Sequence, residues 1–265
     1  MENNLRIIVC MKQVADPDSP PSAFRIDATN KKVVAEGVAP LISPFDANAL
    51  EAALRLKDRH GGKISILSMG KSLSKRVLDQ GVATGADELV LLQDDTFEDL
   101  DSYATAAGMA AAIRKIGAYD LILCGAQAAD SNSGQVGIGI AEFLDIPCVS
   151  RVKSFELEEK ALKLECTLPG GYAEVEVSMP ALATVDNELF ALRFPSLPAL
   201  RIAQKKKAVM MTAGDVEVDA GEQRRTDLME FTARVSNTVC EFVEGGTPEE
   251  AGSNLALKLI EAKVI

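Results

Sequence analysis

Tyr119-Asp-Leu-Ile-Leu-Cys-Gly-Ala-Gln-Ala-Ala-Asp-Ser-Asn-Ser-Gly-Gln-Val-Gly137 is the stretch whose reading decides the fold. An apolar strand over 121–124 runs into a loop of small and amide residues, Gly125 to Gly134, and an amphipathic helix carrying Val136, Ile140 and Phe143 follows. Small residues let backbone N–H groups approach a ligand, and a helix N-terminus adds free N–H groups and a positive dipole end, so the place suits a phosphate. Asp130, Asn132, Ser133 and Gln135 can bond to hydroxyls or a base edge. No residue in the stretch is an obvious acid, base or nucleophile. It reads as a holder of a nucleotide.

Strands and helices alternate on both sides of this segment. Leu5–Met11 reads as a strand and Phe24–Glu36 as a hairpin around Thr29-Asn30. Pro44 stands where a first helical residue belongs, with Ser43 as the cap, and Leu50, Ala53 and Leu54 share one face up to Gly61-Gly62. Lys63–Ser68 and Glu88–Leu92 are strands, Ser72 to about Gln80 a helix, and Asp101–Ile116 an alanine-rich helix suited to tight packing on a sheet. Such alternation implies a doubly wound, mostly parallel, Rossmann-like α/β sheet. Between Val152 and Val185 the apolar residues alternate in short bursts, with turns at Glu158-Glu159-Lys160 and Pro169-Gly170-Gly171, so an antiparallel hairpin region spanning 150–186 is attached. After Pro198 comes a basic, irregular stretch, and Thr247–Ile265 is a capped helix carrying Ala251, Leu255, Leu257 and Leu259. The division expected is a nucleotide-binding domain over 1–200, then a connector and helical arm over 201–265, whose helix either caps the chain's own core or packs on a partner.

Composition narrows the function. At 265 residues with a net charge of −11, the chain has a sizeable core but no basic face for nucleic acid or anionic membrane. Lys205-Lys206-Lys207 is a local exception. Apolar residues make up 47%, yet no run approaches the ~18–20 needed to span a bilayer, and the opening strand is too short for a secretory signal. Cysteines 10, 124, 148, 166 and 240 form no Cys-x-x-Cys pair, which with apolar neighbours reads as reduced, buried thiols and a cytoplasmic protein. His60 closes a helix, where a positive side chain is favoured, and lacks metal-binding partners. Gly70-Lys71-Ser72 resembles the end of a P-loop, but Ser65 replaces the required glycine; Gly137-x-Gly139 is followed by Glu142 in place of a third glycine. What remains is a set of strand exits pointing one way: Lys12-Gln13, Ser68-Met69-Gly70-Lys71 and Gly125–Gly134. Ligands of doubly wound sheets bind outside such ends.

Taken together, several segments resemble the β subunit of electron-transfer flavoproteins, a family that includes the FixA proteins. They are Val9-Cys10-Met11-Lys12-Gln13-Val14, Ser43-Pro44-Phe45-Asp46, Leu67-Ser68-Met69-Gly70, Ala83-Thr84-Gly85-Ala86-Asp87, Cys124-Gly125-x-Gln127-Ala128-x-Asp130, Gln135-Val136-Gly137 and Phe194-Pro195-Ser196-Leu197-Pro198. The resemblance implies an α/β heterodimer that moves electrons. The α partner would carry a shuttling FAD. The β chain would hold AMP in a simple shuttle or a second FAD in an electron-bifurcating one, with NADH as donor and ferredoxin, or flavodoxin, plus a flavin-dependent dehydrogenase of the acyl-CoA type as acceptors. By position, Cys10, Lys12, Ser43, Pro44, Phe45, Asp46, Ser68, Met69 and Gly70 would line the nucleotide site. So would Cys124, Gly125, Gln127, Asp130, Ser131, Asn132, Ser133, Gly134, Gln135, Val136 and Gly137.

FAD-binding relatives read Asp-Gly-Asp-Thr-Ala-Gln-Val-Gly-Pro where this chain has Asp130-Ser-Asn-Ser-Gly-Gln-Val-Gly-Ile138. Ser131 in place of glycine costs energy if that residue needs a positive φ. The Gln-Val-Gly run favours FAD, with AMP as the alternative. A lone leucine such as Leu197 is ordinarily a packing anchor; the resemblance makes it the residue that docks the dehydrogenase. Cys10 and Cys124 are read as packing thiols rather than redox centres, and a nucleotide-binding module without redox function is the rival reading.

Overall fold

A computed structural model of the chain describes residues 5–158, 161–219, 222–232 and 239–265. By compactness the chain divides into one unit over Met1–Met229 and another over Glu230–Ile265.

The first unit begins with β1 (Arg6–Cys10), β2 (Gln13–Ala15), β3 (Phe24–Asp27), β4 (Lys32–Ala35) and β5 (Pro40–Ile42). It alternates through α1 (Pro44–His60), β6 (Lys63–Gly70), α2 (Lys75–Thr84), β7 (Glu88–Gln93), α3 (Ser102–Ile116), β8 (Leu121–Gly125) and α4 (Val136–Leu144). β9 (Cys148–Glu158), β10 (Ala161–Leu168), β11 (Gly171–Ser178) and β12 (Ala181–Val185) follow, then α5 (Leu197–Lys205), β13 (Val209–Met211) and α6 (Ala213–Val216). Nine strands form one sheet in the order β11-β10-β9-β12-β8-β1-β6-β7-β13. Pairing is parallel from β13 across to β9; β10 then pairs antiparallel with both β9 and β11. The doubly wound sheet with an antiparallel extension is therefore present. The first of the two antiparallel turns includes Glu159 and Lys160, which lie outside the described residues.

The strand order explains where a ligand belongs. From β1 the chain builds β6 and β7 on one side, then returns to place β8 on the other. The crossovers diverge between β1 and β8 and leave a crevice at their carboxyl ends. The alternating strand side chains pack two faces. Val9, Ile64, Ile66 and Leu123 face Leu50 and Leu54 of α1 and Leu78 of α2. Ile8, Leu67 and Ile122 face Met109 and Ile113 of α3 and Ile140 of α4. Each such side chain contributes roughly 1.5–3 kcal/mol on burial, so both helical layers are pinned to the sheet.

Two expectations are corrected and a third, the tight packing of α3 on the sheet, is met and extended. The stretch after Pro198 is not irregular: α5 starts at Leu197, Ser196 caps it by accepting from the Ala199 amide, and Pro198 sits in the first turn, where its missing N–H costs nothing. Beyond it, β13 extends the parallel sheet beside β7. The cysteines are free but not uniformly buried, because Cys148 is half-buried and Cys240 exposed. The alanine-rich α3 packs on α4 as closely as on the sheet: a Cβ on Gly139 would stand 2.8 Å from Ala106, and one on Gly108 2.9 Å from Met69.

The second unit contains α7 (Pro248–Glu261), whose cap Thr247 accepts from the Glu250 amide. None of its residues is buried, and Leu255, Leu257 and Ile260 are exposed. Residues 233–238, between this helix and the first unit, lie outside the described residues. No helix among the described residues is long and apolar enough to cross a membrane.

Candidate functional site

A cleft of about 680 Å³ opens over the carboxyl ends of β1, β6 and β8 and the heads of α3 and α4. Its size is that of known cofactor sites, roughly 300–1,000 Å³. Cys10, Lys12, Asp46, Met69, Gly70, Cys124, Gly125 and Gln127 line it, with Ser131, Ser133, Gly134, Gln135, Val136 and Gly137. Ser43, Pro44, Phe45, Ser68, Asp130 and Asn132 do not.

Asp46 is the knot of the cleft floor. It lies in the first turn of α1, which crosses beneath both strand exits. Its two carboxylate oxygens accept from the Lys12 amide at 2.7 Å and the Gly125 amide at 2.9 Å. Burial drives its pKa up to about 7, against the pull of those two amides and the Lys12 charge. Neighbouring Ser43 does not cap α1 with its side chain; its hydroxyl accepts from the Ala129 amide at 3.4 Å, while its own amide donates to Lys12 O. One helix head thus ties two strand exits and the glycine-rich loop. Contact here is close: a Cβ on Gly125 would stand 2.6 Å from both Phe45 and Asp46. Phe45 therefore acts from below, as packing. Ser68 is fully buried beneath the cleft, and among the described residues its hydroxyl has no hydrogen-bond partner.

The loop is shaped by its left-handed residues. Asn132 has φ +50° and Gly134 φ +64°, while Ser131 is not among the positive-φ residues, so serine there carries none of the strain that replacing a glycine could have brought. Asparagine tolerates the left-handed region better than other side chains, and its carboxamide accepts from Gln127 at 3.0 Å. Asp130 reaches back to Lys12, 2.7 Å away. At the head of α4, Gln135 makes no side-chain cap, so the first helical amides stay available to an anion beside the loop. Free amides at a helix head beside such a loop suit a phosphate. Met69, Phe97 and Met109 add apolar lining.

Cys10 and Cys124 lie side by side on paired strands, both buried. Donation of the Cys124 S–H to Cys10 and burial hold the Cys124 thiol well above its ordinary pKa, so it remains protonated and serves as packing. Among the described residues no group of His, Cys, Asp and Glu could hold a metal ion.

Part of the cleft wall comes from residues that the sequence reading passed over. Asp99 to Tyr103 and Thr105 follow the exit of β7, the one strand end left out of the expected set. The same carboxyl-end rule that selected the other exits would have found them. Arg225 and Thr226 also line the cleft. Nothing local in the sequence marks them, because Asp101, which holds their amides, is more than a hundred residues away.

Residues 31–220 match the family model described as the electron transfer flavoprotein domain. The chain belongs to the electron transfer flavoprotein family. Among its relatives is the electron transfer flavoprotein subunit beta of Thermoanaerobacterium thermosaccharolyticum, 42% identical over 219 residues, 82% of each chain. Another is the caffeyl-CoA reductase-Etf complex subunit CarD of Acetobacterium woodii, 33% identical over 98% of this chain and all of that one. Protein FixA of Sinorhizobium fredii is 34% identical over 93% of this chain and 85% of its own length. Membership in the β-subunit and FixA branch of the electron transfer flavoprotein family follows.

Proposed function

We propose that this chain is the β half of an electron-transfer flavoprotein heterodimer and holds FAD in the cleft above β1, β6 and β8. The observation that carries this reading is the cleft's mixed lining. A phosphate-suited loop and an uncapped helix head line it together with the apolar Met69, Phe97 and Met109, against which a flat ring would be shielded from water. FAD, when bound, supplies the redox chemistry, and the chain's residues bind and orient it. The amides of Ser133 to Val136 would hold the phosphates, while Gln127 and Asn132 keep the loop closed and Asp46 fixes both strand exits. Lacking a catalytic acid or base suits electron transfer, which depends on distance and potential.

Electrons would arrive as a pair from NADH and leave singly, one to ferredoxin or flavodoxin and the other through the α subunit's flavin to a dehydrogenase. CarD's name, which places that relative in a complex with a reductase, supports a coupled assembly of this kind. Leu197 is 74% exposed and adjoins Phe194 at 99%, an apolar pair suited to docking that dehydrogenase. The exposed apolar residues of α7 suit the α subunit, so 201–265 would serve partly as a partner arm. A cytoplasmic location accompanies the proposal. AMP in place of FAD is the second reading, since the loop and the uncapped head of α4 would serve its single phosphate equally.

The test is cofactor content. The chain is co-expressed with its α partner, the complex denatured, and released FAD and AMP measured per heterodimer. Two FAD and no AMP is expected; one FAD with one AMP would replace the proposed role by that of a structural nucleotide holder, and no nucleotide beyond the α flavin would end both readings.

A further inference from the structure

The cleft has a second cationic element, and it comes from the far end of the first unit. Asp101 caps α3 by accepting from the Ala104 amide at 2.8 Å. The same carboxylate accepts from the Arg225 amide at 2.7 Å, the Thr226 amide at 2.8 Å and the Thr226 hydroxyl at 3.2 Å. Burial would raise its pKa, but these bonds outweigh it and hold it below the ordinary carboxylate range. An ionised Asp101 therefore pins a short strap to the head of α3.

The strap sets the Arg225 guanidinium over the Tyr103 ring, 5.0 Å from its centroid. Tyr103 is itself wedged edge-on against Phe143 of α4 at 5.1 Å. Ser102 Oγ and Ser133 Oγ stand 3.4 Å apart, so the heads of α3 and α4 meet at the glycine-rich loop. Among the described residues the guanidinium donates only to Glu222 O, Arg224 O and Gln223 Oε1 of its own turn. Among the described residues no carboxylate side chain neutralises it by direct contact. The other basic residue lining the cleft, Lys12, is paired with Asp130. In a chain of net charge −11, an arginine stacked on the rim and free of a direct acidic partner is placed to receive an anion.

We propose that Arg225 binds the second phosphate of a nucleoside diphosphate group, and so makes the cleft prefer diphosphate-containing ligands to a nucleoside monophosphate. The loop and the head of α4 take the first phosphate; the strap, held by Asp101 and Tyr103, brings the charge for the next one. The inference rests on the nucleotide reading of the cleft and adds the residue that selects among nucleotides.

The experiment is titration calorimetry of ADP and AMP on the heterodimer after its exchangeable nucleotide has been dialysed away. Wild-type protein, Arg225→Gln, Arg225→Lys and Gly134→Asp are compared. Arg225→Gln is expected to weaken ADP roughly ten- to a hundredfold, as loss of a charged hydrogen bond does, and to leave AMP within about twofold. Arg225→Lys should recover part of the ADP affinity, because charge remains while the fork is lost. Equal losses for ADP and AMP, or none for either, would overturn the role of Arg225 while leaving the nucleotide site intact if Gly134→Asp still weakens both. Failure of the wild-type complex to bind ADP, AMP or FAD at this site would overturn both proposals.

Discussion

Gly134→Asp empties the cleft of its nucleotide, whereas Gly134→Asn retains most of it. Gly134 has φ +64° and lies two residues before α4, where the ligand phosphate is placed. Asparagine and aspartate have nearly the same shape and both tolerate this backbone region, so the pair separates charge from strain. Two like charges ~5 Å apart at an effective dielectric of ~20 repel by roughly 3 kcal/mol, about a hundredfold in affinity. The room is adequate, since a Cβ here would approach only Ala126 O, at 3.4 Å. Nucleotide released from the two purified variants reads the difference. Equal retention would mean that the phosphate lies elsewhere.

Asp46→Asn changes how stability depends on pH. The folded carboxyl titrates at about 7, above the ~4 of an unfolded chain. A carboxyl raised by folding takes up a proton as the chain folds. The stability it lends is complete below ~4 and is lost as pH rises through about 7. Unfolding free energy should therefore fall across the upper part of that window, with a slope approaching ~1.4 kcal/mol per pH unit. The paired acids Glu51, Asp101 and Asp120, whose values are lowered, act in the opposite sense and at lower pH. In Asp46→Asn the slope between pH ~5 and ~7 disappears. Urea unfolding of both proteins across this range is the measurement, and parallel curves would remove Asp46 from the role given to it.

Much of the first unit was readable because its signals are local. Apolar runs such as Leu121–Cys124 gave the buried strands, and Pro44 and Gly61 bounded α1. The glycine-rich loop announced a ligand by its composition. What escaped depends on distant partners or on a proline with two meanings. Pro198 ends a helix in most positions but opens one in a first turn, and Ser196 decides between them. Ser43 has the right chemistry for a cap, yet the loop at Ala129 competes for its hydroxyl. Ser131 was suspected of strain that the fold instead assigns to Asn132 and Gly134, one residue to either side of Ser133. Asp101 is legible as a cap, but its hold on Arg225 and Thr226 exists only once the chain has folded.

Amide hydrogen exchange on the heterodimer, with and without added nucleotide, tests the central claim most directly. Occupation of the cleft predicts slower exchange at Lys12, from Gly125 to Gly137, and at the head of α3 around Ser102 and Tyr103, with little change in the antiparallel β10 and β11. Protection confined to the antiparallel strands or to α5, with the loop unchanged, would contradict it.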